Sequence, residues 1–274
     1  MKTLDGKVVV ITGAGSGIGR ALALRAADQG AALALSDWDE VGLVETAQQV
    51  QGRTHREVRT DKLDVRDRAG MQDYAASVRQ HFGRVNVIVN NAGVALHGNF
   101  EEVAYEDFEW VIDVDFWGVV HGTKEFLPHL IESGDGHVVN ISSLFGLVGM
   151  PGQTAYNAAK FAVRGFTEAL RQEMLISRHP VQVTCVHPGG IRTAIARNAR
   201  VTGSHDQAET AKHFDTKLAR MTPERAAEII LDGVLSDKPR VVVGADAKAL
   251  DWFVRLVGPR YQRVIARASR RTRP

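Results

Sequence analysis

The stretch from Lys7 to Gly19 constrains this chain most: Lys7-Val8-Val9-Val10-Ile11, then Thr12-Gly13-Ala14-Gly15-Ser16-Gly17-Ile18-Gly19. The β-branched run reads as a buried parallel strand. Ile18, Ala21, Leu22 and Ala26 then continue at helical spacing. Strand, glycine turn and helix, in that order, let a backbone approach a pyrophosphate closely and offer it unpaired helix N-terminal N–H groups. Such a loop alone is also compatible with an ordinary tight turn. Its spacing is Gly-x-x-x-Gly-x-Gly, not the more general Gly-x-Gly-x-x-Gly.

The rest of the chain repeats the strand–helix alternation. Strands are expected near Val8–Thr12, Ala32–Ser36, Glu57–Thr60, Val85–Asn90, His137–Ile141, Val181–His187 and Arg240–Val243. Helices are expected near Ile18–Gln29, Val41–Val50, Arg68–His81, Tyr105–Ile131, Ala155–Ser177 and Pro223–Leu235. This order predicts an α/β fold: one doubly wound parallel sheet with helices on both faces and right-handed crossovers. With 44% hydrophobic residues in 274 the chain can fill such a core, and no composition break marks a linker. Ligands of such sheets bind beyond the carboxyl ends of the strands. Gly190 to Met221 escapes the alternation, despite a helical pattern over Ala208–Lys217, and reads as a lid.

Tyr156-x-x-x-Lys160 places a phenol and an ammonium on one helix face, a turn apart, with Ser143 upstream. A phenol of pKa ~10 must fall by about three units, roughly 4 kcal/mol, to serve as an acid/base near neutrality. One positive charge at ~4–5 Å in an effective dielectric of ~20 supplies about 3–4 kcal/mol. Lys160 is therefore expected to suffice in principle. Without its context the pair is as readily an ordinary helix surface.

The glycine turn, Asn90-Asn91-Ala92-Gly93, Ser143, Tyr156-x-x-x-Lys160 and Pro188-Gly189 together resemble the short-chain dehydrogenase/reductase family, from about Lys7 to Val243 and in family order. The resemblance implies a Rossmann-type sheet of about seven strands in the order 3-2-1-4-5-6-7, with residues 1–258 as the domain, a substrate lid at about 190–221 and a basic tail over 259–274. It implies an oxidoreductase interconverting a secondary alcohol and a ketone, with Tyr156 moving the proton, Lys160 lowering its pKa and Ser143 orienting the oxygen. Ser142 competes with Ser143, but the thirteen-residue spacing to Tyr156 favours Ser143.

For the cofactor, the resemblance assigns Gly13, Ser16, Gly17, Ile18 and Gly19 to the pyrophosphate turn, and Asp64 and Val65 to the adenine. Asn91, Ala92 and Gly93 fall behind the ribose, and Pro188, Gly189, Ile191 and Thr193 at the carboxamide and phosphate; Tyr156 and Lys160 also face the cofactor. Asp37, about twenty residues after the turn, suits ribose hydroxyls and repels a 2′-phosphate. Relatives that prefer NADP tend to carry a base where Ser16 or Trp38 stands here, so NAD is expected; Arg20 is read as a surface residue. One departure stands out: Asp115, in Val114-Asp115-Phe116-Trp117-Gly118, replaces the family's usual asparagine. It is expected to pair with Lys160, or to stay protonated if buried, and to support the proton relay as an acceptor.

Val94, Leu96, Phe145, Leu147, Met150 and Ile195 are expected to flank the substrate, with His97 as a polar contact or a surface residue. They suit a small or cyclic hydrophobic molecule. A dinucleotide sensor or scaffold that lost its chemistry is the alternative; a nucleotide-sugar epimerase would need more C-terminal chain. By the resemblance, the helices at Tyr105–Ile131 and Ala155–Ser177 imply a homodimer or homotetramer, with Phe161, Phe166 and Leu170 as apolar contacts; core burial within one subunit explains those residues nearly as well. Cys185, the only cysteine, reads as a core thiol; no metal site and no nucleic-acid partner are expected, and a net charge of +2 argues neither for nor against an acidic partner. Met1–Gly6 leads directly into a strand with no leader and no spanning segment is present, so a cytoplasmic protein is expected. Arg255, Arg260, Arg263, Arg267, Arg270, Arg271 and Arg273, with Trp252, Phe253, Leu256 and Val257, read as a solvated, frayed terminus or as a contact to a membrane surface or a neighbouring subunit.

Overall fold

The structure is a computed structural model that describes residues 1–203, 206–213, 216 and 219–272. Its elements run β1 (Val8–Thr12), α1 (Gly17–Asp28), β2 (Ala32–Asp37), α2 (Glu40–Gln51), β3 (Val58–Lys62), α3 (Arg68–Phe82), β4 (Val87–Asn90), β5 (Leu96–His97) and α4 (Tyr105–Ile112). A π-helical turn over Asp113–Trp117 leads into α5 (Gly118–Glu132), β6 (Gly136–Ile141), α6 (Thr154–Ile176) and β7 (Val181–Pro188). The chain continues through β8 (Arg200–Val201), α7 (Gln207–His213), α8 (Pro223–Leu235), β9 (Arg240–Val243), α9 (Ala245–Val257) and α10 (Tyr261–Thr272).

Seven strands form one parallel sheet in the order β3-β2-β1-β4-β6-β7-β9, which is the expected order once the two-residue strands β5 and β8 are set aside. Alternate residues of β1 feed opposite layers. Val9 and Ile11 join Leu22, Ala26, Leu33, Ile230 and Val234 under α1 and α8. Val10 joins Met71, Ile88, Phe126, Val138 and Leu170 under α3, α5 and α6. Central β1 is buried along its whole length, whereas edge strand β3, Val-Arg-Thr-Asp-Lys, is only partly buried. Position at the sheet edge is why β3 carries so few apolar residues.

Three expectations need correction. The predicted helix over Tyr105–Ile131 is broken by the π turn, which buries Val114 and Asp115. Phe166 and Leu170 belong to the core under the sheet, leaving Phe161 exposed with Trp117 and Tyr105. The basic terminus is not a frayed coil: α9 and α10 dock Leu250, Val254, Tyr261 and Ile265 on Leu144 and Val148, and the assumed boundary at 258 falls on Gly258 between them. Lys217 and Arg273, named in the sequence reading, lie outside the described residues.

Candidate active site

The glycine turn closes the carboxyl end of β1. Gly13 and Gly17 have φ of 66° and 52°, where side chains are strained, and a Cβ on Gly13 would lie 2.7 Å from Ala92 Cα. A Cβ on Gly19 would meet the Gly13 carbonyl oxygen at 2.0 Å. The turn therefore lies backbone to backbone against Asn91-Ala92. Asn91 Nδ2 donates to the carbonyls of Thr12 and Gly13, both at 3.0 Å, and Thr12 Oγ1 accepts the N–H groups of Asn91 and Ala92. Ser16 caps α1 without a side-chain hydrogen bond, so it leaves the first-turn N–H groups of Gly17, Ile18 and Gly19 to another acceptor. This cradle fits a pyrophosphate, and Thr193 lies against it, its Cγ2 3.0 Å from where a Gly17 Cβ would stand.

Asp37 ends β2 and accepts the N–H of Gly15 at 2.7 Å and that of Asp39 at 2.9 Å. Its carboxylate is thus fixed beside the turn and keeps lone pairs for a ribose. Trp38 is 72% exposed next to it. Arg20 is not a surface residue: its guanidinium donates to the carbonyls of Gly15 (2.5 Å) and Gly42 (3.1 Å), to Thr46 Oγ1 and to Glu45. It is a clamp between α1 and α2. Asp64 is gripped by the Arg66 guanidinium, whose hydrogen bonds hold its carboxyl below the usual range against partial burial. Val65 is buried, and the loop there is tied to α5 by His121 Nδ1 and the Val65 carbonyl, 3.1 Å apart. Gly189 N–H donates to the Val243 carbonyl and Gly190 N–H to Asp246 Oδ2, while Ile191 is buried and bridges to Met221.

Helix α6 presents Tyr156 and Lys160 to the carboxyl ends of β4 and β6. Lys160 is 3% exposed; its Nζ lies 3.1 Å from Asp115 Oδ2, donates to the Ile141 carbonyl at 3.3 Å, and sits 5.5 Å from the centre of the Tyr156 ring. Asp115 is fully buried, and its Oδ1 accepts the Val94 N–H at 2.7 Å. Gly93 closes over the pair: a Cβ there would stand 3.3 Å from both Asp115 Oδ1 and Lys160 Nζ. The two serines separate cleanly. Ser142 Oγ is buried and donates to the Lys160 carbonyl at 2.8 Å, while Ser143 is partly exposed, accepts the Phe145 N–H at 3.1 Å and lies near enough to the Tyr156 phenol to lower its pKa.

The electrostatics correct the expectation that Lys160 suffices to acidify Tyr156. Burial raises the phenol's pKa and the Asp115 charge raises it further; Lys160 and Ser143 oppose this without reversing it. Burial also disfavours the Lys160 ammonium, yet Asp115 and Tyr156 outweigh it and hold Lys160 above its ordinary pKa. Burial pushes Asp115 up as well, against the pull of Lys160. A neighbouring carboxylate takes up the charge that the phenol needs.

The expected substrate residues divide. Phe145 stands edge-on to Tyr156 with ring centres 6.1 Å apart, and Val94, Met150 and Ile195 are each partly exposed. Leu96 and Leu147 are instead buried, Leu96 packing with Val111, Ala155 and Ala159 behind Tyr156. His97 is neither free nor a simple surface residue, because its Nδ1 is 3.0 Å from Gln153 Nε2. The segment expected to form a lid is tied down on this side: β8 pairs with β5, joining Arg200–Val201 to Leu96–His97.

Three supports escaped the sequence reading. Asn157 donates to the carbonyls of Phe145 and Val148 and accepts the Met150 N–H, shaping the loop that carries the apolar wall. Tyr261 of α10 accepts the Gly149 N–H through Oη at 3.1 Å. Asn90 donates to Thr123 and Asn140, and Asn140 to Thr167, a buried polar chain that locks α5 and α6 onto the sheet. Asn90 opens a recognised motif and Asn157 lies inside Tyr156-x-x-x-Lys160, though neither role was read from them; nothing near Tyr261 marked it.

A phenol, a serine and a lysine converging beside a dinucleotide cradle define a Rossmann-type oxidoreductase. The model of the short chain dehydrogenase family matches residues 7–203, and the chain belongs to that family. SadH of Mycobacterium tuberculosis, which is named as an oxidoreductase, is 58% identical over 266 residues, spanning 97% of this chain and 96% of SadH. A short-chain dehydrogenase/reductase from Burkholderia phymatum, solved in complex with NAD, superposes with a TM-score of 0.87 at 28% identity over 94% of this chain and 95% of its own. An alcohol dehydrogenase from Thermococcus sibiricus, complexed with 5-hydroxy-NADP, gives a TM-score of 0.73 at 27% identity over 88% and 95%. No described helix is long and apolar enough to cross a membrane. Among the described residues no group of three or more His, Cys, Asp or Glu could hold a metal ion.

Proposed function

We propose that this protein is an NAD-dependent dehydrogenase/reductase interconverting a secondary alcohol and a ketone on a small or cyclic hydrophobic substrate. The observation that carries this reading is the convergence of Ser143, Tyr156 and Lys160 next to the cradle of Gly13–Gly19. A bound nicotinamide dinucleotide supplies the hydride; the protein must hold the reacting carbon and manage one proton. In this reading Tyr156 Oη gives or takes that proton, Ser143 Oγ donates to the substrate oxygen as it gains charge, and Lys160 keeps the phenol oriented while hydrogen-bonding the ribose. Asp115 supports the lysine. Ser16, Gly17, Ile18 and Gly19 take the pyrophosphate, Thr193 with Pro188, Gly189 and Ile191 the far phosphate and carboxamide, and Asp64, Val65 and Asn91–Gly93 the adenosine. Phe145, Met150 and Ile195 form the apolar wall, with Leu96 behind it.

Two features support NAD over NADP. Asp37 places a carboxylate where a 2′-phosphate would sit, and the nearby cation, Arg20, is already spent on four acceptors. The exposed residues Tyr105, Trp117 and Phe161 on the α4–α6 face support a homodimer or homotetramer, and a cytoplasmic location follows the same reading. Reduced-cofactor absorbance across a panel of cyclic and linear secondary alcohols, with NAD and NADP in parallel, tests it. Turnover with NAD at least tenfold above NADP is expected; turnover confined to NADP refutes the cofactor assignment. One observation favours a binding-only sensor, namely the neutralisation of Lys160 by Asp115; tight dinucleotide binding with no turnover on any substrate would select it.

A further inference from the structure

The buried contact between Asp115 and Lys160 has an effect on Tyr156 beyond holding the lysine in place. The ammonium is bracketed by the Asp115 carboxylate at 3.1 Å, the Ile141 carbonyl at 3.3 Å and the Tyr156 ring at 5.5 Å. An unpaired ammonium acts on the phenol as a full unit charge. A buried ion pair acts as a dipole, whose field falls off faster, and with both charges shielded from water little else screens them. We propose that Asp115 prevents Lys160 from acidifying Tyr156, by cancelling the lysine's charge, so that the phenol stays protonated across neutral pH. The site at rest is then set to release a proton from Oη, and acceptance of one requires alkaline conditions.

The groups facing the phenol agree with this. Its own helix contributes Lys160, the π turn contributes Asp115, and the loop after β6 contributes Ser143 and the uncharged ring of Phe145. From β7, Cys185 faces Lys160, but burial pushes its thiol up to about 12, so it carries no charge at neutrality. No second cation stands in for the cancelled one among the groups that perturb Tyr156. Position 115 needs an acceptor for the Val94 N–H, which an amide oxygen would satisfy equally. The negative charge is therefore what distinguishes this residue from its neutral isostere.

The consequence rests on the role proposed above for Tyr156: carbonyl reduction served at neutral pH, alcohol oxidation rising toward alkaline pH. The test does not. The full chain, free of cofactor, is prepared with tyrosine labelled at Cζ, and its four tyrosines are followed by carbon NMR from pH 6 to 11, Tyr156 being assigned by its loss in Tyr156→Phe. In the unaltered protein the Tyr156 signal should remain that of the phenol to about pH 10 or beyond. In Asp115→Asn its midpoint should fall by about one pH unit or more. A Tyr156 midpoint below about pH 9 in the unaltered protein, or one unmoved by Asp115→Asn, overturns the proposal. If Asp115→Asn does not fold, the same comparison is made with Asp115→Ser, which is also uncharged and keeps a side-chain oxygen. Absent dehydrogenase activity with the expected titration would instead count against the function and leave this inference standing.

Discussion

Tyr156 is the residue on which any chemistry at this site turns. Tyr156→Phe keeps the ring against Phe145 and the helix intact, so kcat should fall by about 10²–10⁴, as expected for loss of a general acid/base, with NADH affinity unchanged within about threefold; steady-state kinetics and fluorescence titration measure both. His187 offers a separate residue-scale test. Its Nδ1 lies 2.9 Å from the Ser143 carbonyl, and burial drives its pKa down to about 4. The unfolded chain, with an ordinary histidine pKa near ~6.5, binds the proton first, so this stability is complete above that value and is lost as pH falls toward 4. Between pH 7.5 and 5 the cost is about 2 kcal/mol, and urea unfolding should show that loss shrink by this amount in His187→Gln. At this scale the sequence was legible where spacing decides. Thirteen residues from Ser143 to Tyr156 picked the serine that the structure leaves facing the phenol, while Ser142 is spent on the Lys160 carbonyl. Arg20 and Asn157 were not legible, because which carbonyls they reach depends on how distant segments meet.

Among the elements, the glycine turn and α6 carry opposite lessons about the same residue type. A Cβ at Gly19 collides with backbone, so Gly19→Ala should lower Tm by several degrees and weaken NADH binding at least tenfold. Gly165, exposed within α6, has nothing within 4 Å of its would-be Cβ, so Gly165→Ala should stabilise by about 0.5–1 kcal/mol, read by denaturant unfolding. If both substitutions prove equal in effect, the close approach at the turn is not what the first glycine serves. The strands were readable because buried parallel strands are written in β-branched runs, whereas their order came from the family resemblance; β3 mixes Arg, Thr, Asp and Lys with its one Val because an edge strand need not be apolar on both faces. The π turn at Asp113–Trp117 left no mark: a one-residue bulge in a helix keeps the apolar pattern of the helix on either side.

For the whole molecule, the surprise is the C-terminal pair of helices. Their arginines dominated the sequence reading, yet it is the apolar stripe beneath, Tyr261 and Ile265 with Val254 and Leu250, that places them over the Ser143–Met150 loop. Tyr261→Phe keeps that packing and removes the acceptor of the Gly149 N–H, at a cost of about 1 kcal/mol. The expected outcome is a severalfold rise in substrate KM with unchanged NADH affinity, because the loop touches the apolar wall and not the cradle. An equal loss of both would assign the helices a general structural role.

Cys185 carries a practical consequence. The lone thiol is walled into the central sheet and pushed up to about 12 in pKa by burial, so maleimides and mild oxidants should find nothing to react with in the folded chain. A cysteine engineered at any exposed position, on the lid or on α10, would be the sole attachment point for a dye, which makes this protein a ready-made scaffold for distance measurements as its loops respond to ligand.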